Sequence, residues 1–226
     1  MREQIINYLN ELYPHPKCEL NYNKDYELLL SVMLSAQTTD KSVNAATSEL
    51  YKKYDTLEKL DALSVLEISN YIKRIGFTQA KSKNFKFIVG KIKELGYVPN
   101  DREYLESLPG VGRKTASVVL SHLFNEPNFA VDTHVFRVSK RLGITTKKDD
   151  VLKTEIKLKK YFKKDDWNRV NSQLVLFGRY NCTSKKPSCE FCKLKNICKE
   201  KKGWINSSFY CTVIVWVTDL FILVPS

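Results

Sequence analysis

The chain is short of acid. It carries 25 Asp and Glu against 37 Lys and Arg over 226 residues, a formal charge of +12 at pH 7. That imbalance points to a polyanionic partner, nucleic acid first and an anionic membrane surface second. The first residues, Met1 to Tyr13, are charged and amphipathic and lack the apolar run of a secretory signal. Most of the chain lacks cysteine, because four of the six fall between Cys182 and Cys198. A secreted disulfide scaffold spreads its cysteines, whereas a tight cluster suggests a metal. No convincing strand pattern precedes residue 209, and there is no long repeat or low-complexity linker. Global disorder is excluded, since 43% of residues are hydrophobic and 12% aromatic. The length allows one large domain or two small ones.

One segment does not fit the rest. Gly203 to Ser226 has no Lys or Arg and a single acid, Asp219. Its run Phe209–Val224 is 16 residues long and almost wholly apolar. A spanning helix needs about 20. A non-domain extension ranks first, an extra packed strand or helix second and a membrane anchor last. No function is built on this tail, and no membrane is expected.

Elsewhere the periodicity is helical. Ile5, Ile6, Leu9, Leu12 and Tyr13 form one face, and Pro14 and Pro16 stop that helix. Tyr26–Ala36 is apolar nearly all round, as a central buried helix is. Asp40 is placed to cap a helix running to Tyr54. Ser64 and Glu67 form a capping-box pattern, with Gly76 ending that element. A helix from about Gln79 to Leu95 stops at Gly96, and a turn and cap follow at Val98–Asp101. Further helices start near Asp132 and end at Gly143, then cover about Val151–Phe162 and Trp167–Tyr180. The fold class is all-α, with many helices around a buried one.

Two short helices flank Leu108-Pro109-Gly110-Val111-Gly112. The glycines permit a sharp turn and close approach to another surface. Their N–H groups and the positive end of the next helix suit a phosphate. An ordinary helical corner is the bland alternative. In a basic helical chain the hairpin is read as a grip on the DNA backbone, which positions without reading sequence. Arg113 and Lys114 follow in the first turn. Lys114 is either a phosphate-binding or solvated charge, or a nucleophile. The helix N-terminus and Arg113 disfavour the charged ammonium, and a neutral amine can form a Schiff base with a sugar carbon. Asp132, in Ala130-Val131-Asp132-Thr133-His134, is an N-cap by default. The same acid can stabilise developing positive charge or move protons.

Cys182, Cys189, Cys192 and Cys198 are spaced Cys-x6-Cys-x2-Cys-x5-Cys. Four-thiolate zinc is the generic reading. A cubane iron–sulfur cluster fits compact, uneven spacing at least as well. Lys185 and Lys186 make the intervening loop basic, so it either presses on phosphates or is simply solvated. Cys18 and Cys211 read as free thiols.

Together, LPGVGRKTASVVL, AVDTHVFRV, LLSVMLSAQTTDKSVN and the cysteine spacing resemble the endonuclease III family of DNA glycosylases with AP lyase activity, in the helix-hairpin-helix–Gly/Pro/Asp superfamily. The likeness spans about residues 1–202. It implies two helical lobes with a DNA groove between them. A six-helix barrel at 21–127 would contain the hairpin, at about 101–124. The second lobe, 1–20 with 128–202, would hold a [4Fe–4S] cluster on the four cysteines at 182–198. It implies Lys114 as nucleophile and Asp132 as catalytic acid. Gln37 would fill the space left by an extruded nucleotide. Phe77 stands where the family usually has an aliphatic intercalating residue. Gly110, Val111, Gly112, Arg113, His134, Lys185 and Lys186 complete the expected DNA contacts. The implied substrate is double-stranded DNA with damaged pyrimidines or abasic sites. The implied protein is a monomer, in prokaryotic cytoplasm with the nucleoid or in a eukaryotic nucleus. Adenine-specific relatives within the superfamily place an acid near the Gln37 turn, and Leu28–Gln37 has none. A non-catalytic hairpin DNA-binding protein is the alternative class.

Overall fold

The computed structural model describes residues 1–200. The expectations for the apolar stretch 203–226 lie outside the described residues. The described residues form eleven α-helices: α1 (Arg2–Leu12), α2 (Asp25–Leu34), α3 (Asp40–Lys53), α4 (Leu57–Ala62), α5 (Val65–Tyr71), α6 (Thr78–Leu95), α7 (Arg102–Ser107), α8 (Arg113–Phe124), α9 (Thr133–Arg141), α10 (Val151–Tyr161) and α11 (Trp167–Leu176). A π-helical turn, Phe177–Asn181, continues from α11. No strand occurs among the described residues, so the all-α expectation holds. None of these helices is long and apolar enough to cross a membrane.

Two hydrophobic cores organise the helices. The first draws on residues from Leu20 to Leu120 and surrounds α2. Every residue of α2 from Glu27 to Leu34 is buried, which explains its all-round apolarity. Glu27 is tolerated because its carboxylate accepts the Asn23 N–H at 2.7 Å. The second core joins Ile5, Tyr8 and Leu9 of α1 to residues from Phe129 to Leu194. The first helix therefore packs far away in sequence. Gln173 of α11 donates to Asn10 Oδ1 and to the Tyr13 carbonyl, both at 2.9 Å. Truncating a fully buried side chain such as Leu29 or Phe177 costs about 2–5 kcal/mol.

Most helix boundaries follow local signals. Ser64 and Glu67 make the full capping box, Gly96 ends α6 in the left-handed region, and Asp101 caps α7. Four readings need correction. Thr39, not Asp40, caps α3: its side chain accepts the Ser42 N–H, and Asp40 is the first helical residue. Gly76 does not end α5, which stops at Tyr71 with Ile72 as its C-cap. α2 stops at Leu34, because the chain turns through Ser35–Thr38. α11 gives way to the π turn at Phe177. The six-residue helix α4, held by the Thr56 cap, carries no strong periodicity in so short a run.

Candidate active site

A cleft of about 920 Å³ lies between the two cores. Ser35, Gln37, Asp40 and Lys114 line it from one side, and Val131, Asp132, His134, Arg179 and Tyr180 from the other. The expected pair, Lys114 and Asp132, thus shares one cavity although 18 positions separate them in the chain.

Lys114 stands in the first turn of α8 and is exposed. It makes no ion pair among the described residues. Gly112 precedes α8 as its N-cap, and no side chain caps the helix. The first-turn N–H groups therefore point outward unclaimed by a cap, beside the lysine. Gly110 turns the hairpin with φ 81° and sits against Asn84, so an added Cβ would lie 2.6 Å from the amide nitrogen. At Gly112 an added Cβ would meet only open space, so nothing inside the molecule demands glycine there. Val111 is buried and packs its side chain into the first core.

Arg113 departs from expectation. Its guanidinium is held by Glu155 of α10 through bonds of 3.0 and 3.1 Å. Its charge is therefore partly compensated by a buried carboxylate. Asp132 is the N-cap of α9: its Oδ1 accepts the His134 and Val135 N–H groups, both at 2.8 Å. Its other oxygen accepts nothing among the described residues. His134 lies on the cleft wall with Nδ1 3.3 Å from Arg137.

Asp40 also enters the cleft. Burial pushes its carboxyl up, Asp132 adds to this, and Lys114 and His134 oppose it. Arg179 bridges Asp40 at 2.9 Å and also pairs with Glu19. No local sequence signal marked Arg179, Tyr180 or Glu19, because the π turn that aims the first two was not legible.

Gln37 and Phe77 share an unusual feature. Both are exposed, and both have left-handed backbone, φ 55° and φ 59°. Such a conformation costs a non-glycine residue about 1–3 kcal/mol and persists only where the surroundings enforce it. Gln37 lines the cleft and Phe77 does not. Lys185 and Lys186 lie exposed on the cysteine loop, outside the cleft lining.

The four clustered cysteines are all free thiols. Cys189, Cys192 and Cys198 line a cavity of about 50 Å³. Cys182 Sγ accepts a hydrogen bond from Arg141 at 3.3 Å. Burial pushes the Cys189 and Cys192 thiols up, and the neighbouring cysteines add to it. Among the described residues no three donors converge closely enough for a single metal ion.

An all-helical body with a glycine hairpin, an exposed lysine and a capping aspartate on one cleft has the architecture of a helix-hairpin-helix protein. The family description "HhH-GPD superfamily base excision DNA repair protein" matches residues 30–164. Endonuclease III of Bacillus subtilis (strain 168) is 43% identical over 211 residues, covering 90% of this chain and 96% of that protein. A solved non-covalent endonuclease III–DNA complex matches with TM-score 0.84 at 40% identity, over 89% of this chain and 97% of that one. A trapped endonuclease III–DNA covalent intermediate matches with TM-score 0.82 at 41% identity, with the same coverage. The chain belongs to the endonuclease III family of the HhH-GPD superfamily. Its activity class is base excision repair DNA glycosylase/lyase.

Proposed function

We propose that this enzyme binds double-stranded DNA, releases oxidised or ring-saturated pyrimidines and nicks abasic sites, with Lys114 as nucleophile and Asp132 as the assisting acid. The observation that carries this reading is an amine without an ion-pair partner facing, across one cleft, a carboxylate already anchored by its helix cap. A stacked base cannot be attacked, so the damaged nucleotide is extruded into the cleft. The neutral Lys114 amine attacks the sugar C1′, and the base departs with the glycosidic electron pair and a proton. The sugar ring opens to a Schiff base. Loss of a C2′ proton then expels the 3′ phosphate, and hydrolysis returns the amine. Asp132 stabilises the cationic charge and shuttles protons.

The backbone of Gly110, Val111 and Gly112 and the start of α8 grip a phosphate. His134, Lys185 and Lys186 add positive or hydrogen-bonding contacts, and Arg113, although paired with Glu155 through Nε and Nη2, keeps Nη1 for a phosphate. Gln37 fills the vacated space in the duplex, and Phe77 wedges into the stack. The two hydrophobic cores support a division into lobes at 21–127 and at 1–20 with 128–202, except that Cys18 and Leu20 pack with the first. The enzyme acts as a monomer wherever the genome lies, with the nucleoid in a prokaryote.

Cys182, Cys189, Cys192 and Cys198 would hold a [4Fe–4S] cluster. Four free, soft thiols in a compact, unevenly spaced loop, three of them around one small cavity, suit a polynuclear centre at least as well as zinc. When bound, such a cluster braces the loop that carries Lys185 and Lys186, and base release and elimination need no redox step.

The deciding experiment is borohydride treatment of the iron-loaded protein with DNA holding an abasic site. A covalent adduct that disappears in Lys114→Ala is expected. An adduct that persists in that variant refutes the assignment.

A further inference from the structure

Lys81 is a buried lysine that the chemistry above does not use. It is only 6% exposed and has no carboxylate partner among the described residues. Its ammonium donates to the Leu34 carbonyl at 2.8 Å, the Ala36 carbonyl at 2.7 Å and Thr38 Oγ1 at 2.9 Å. Those acceptors flank Gln37 on both sides. The backbone N–H of Lys81 bonds the Phe77 carbonyl at 3.0 Å. That backbone bond is the helix's own, so the side chain ties the turn that carries Gln37 to the first turn of α6, whose N-cap is Phe77.

A lysine capping orphan carbonyls at a helix end is common, and capping alone explains the bond to Leu34. It does not explain why the other two donors continue past the helix to Ala36 and Thr38. Burial pushes the Lys81 ammonium down, so holding it charged there is unfavourable by itself. An apolar residue would suit that face of α6, where Phe85, Ile88 and Ile92 are buried. The cost of a buried charge is balanced by three carbonyl or hydroxyl bonds, and they lock a turn that would otherwise relax out of its strained backbone.

We propose that Lys81 is a positioning residue: it holds Gln37 and Phe77 as one rigid pair, so that both enter the duplex together when a base is extruded. This inference rests on the proposed wedge roles of Gln37 and Phe77. Rigid placement lowers the cost of reaching the extruded state, and small misplacements of such groups are expensive in rate. The effect falls on substrates whose base must be unpaired. It spares an abasic site, where no base has to leave the stack.

The test compares single-turnover rates of the full-length, iron-loaded protein on two duplexes of one sequence. One holds an oxidised pyrimidine paired with adenine, and the other an abasic site. Lys81→Met is expected to slow the first by about tenfold or more and the second by less than about threefold. In a Lys114→Ala background, 2-aminopurine opposite the lesion should brighten less when Lys81 is also replaced. Equal losses on both duplexes mean a merely structural lysine and overturn the proposal, as does no loss on either. Where Lys81→Met does not fold, Thr38→Val removes one acceptor and is expected to change the two rates in the same unequal way. Gln37→Ala and Phe77→Ala are run alongside. If neither favours the abasic duplex, the wedge reading fails and the proposal falls with it. If they do and Lys81→Met does not, the proposal alone is overturned.

Discussion

Arg113 meets Glu155 through two parallel hydrogen bonds, Nε to Oε2 at 3.1 Å and Nη2 to Oε1 at 3.0 Å. The pair joins the first turn of α8, beside Lys114, to α10 of the second core. Glu155 is buried and also accepts from Lys159 at 2.6 Å, while Arg113 is more than half exposed. Burial raises the Glu155 carboxyl, and its bonds to Arg113 and Lys159 outweigh that and leave it lowered. Glu155→Gln is expected to destabilise the fold by about 1 kcal/mol, discounted for the exposure of Arg113. It also releases a guanidinium beside the hairpin. Binding to undamaged duplex should strengthen, with a salt slope steeper by up to about one unit. Urea melts and salt titrations check the two effects.

Lys114→Ala is expected to abolish strand nicking while DNA binding remains salt-sensitive. The side chain is exposed and takes no part in either core, so thermal stability should stay within about 0.5 kcal/mol of the parent. A gel assay for cleavage beside an equilibrium binding curve separates the two properties.

Asp132 has two separable duties. In Asp132→Asn the amide oxygen can still accept the His134 and Val135 N–H groups, so this variant should melt close to the parent. Without the carboxylate charge, base release should fall by about a hundredfold or more. Asp132→Ala should lose the same activity and in addition about 1 kcal/mol of stability. Matched melts and single-turnover rates distinguish the pair.

The cysteine loop yields a metal prediction. Protein purified without oxygen should be coloured and contain iron with acid-labile sulfide. Cys192→Ser should lower the iron content and loosen the loop, seen as faster proteolysis between Cys182 and Cys198. A colourless preparation holding zinc in place of iron would contradict the cluster.

Asp149 makes stability depend on acid. Its carboxylate accepts two bonds from Lys157, at 2.7 and 2.8 Å, and the Thr146 N–H at 2.6 Å. The Lys157 ammonium and the Thr146 donors hold it down, from 3.8 to about 2. A depressed carboxyl favours the folded state at all pH above its unfolded value, and that contribution is lost as pH falls through the folded one. Asp149→Asn should therefore lower Tm at neutral pH. Its gap from the parent should narrow between pH about 4 and about 2. Melting curves across that range test the sign.

Much of the fold was legible because its signals are local. The capping box at Ser64, the glycine stop at Gly96 and the all-round apolarity of α2 each act within one or two turns of chain. Thr39 took the cap expected of Asp40 because the residue just before the helix has the extended backbone a cap needs, and two candidates stood side by side. Gly76 does not mark the end of α5 because the chain already turns at Ile72. Lys81 carries a local signal: it is in phase with Phe85, Ile88 and Ile92, and a charge on an apolar stripe asks for a partner.

The amino-acid order alone dictated the helical class, the hairpin, the capping aspartate and the cysteine spacing, since each depends on neighbours a few positions away. Folding in three dimensions settled other matters. It brought Lys114 and Asp132 to one cleft, returned α1 to the second core, tied Arg113 to Glu155 and set Lys81 between Gln37 and Phe77. Apart from the local helix bond of Lys81 to Phe77, those relationships join residues 18 to 189 positions apart and come from burying two apolar cores against each other, which no local pattern encodes.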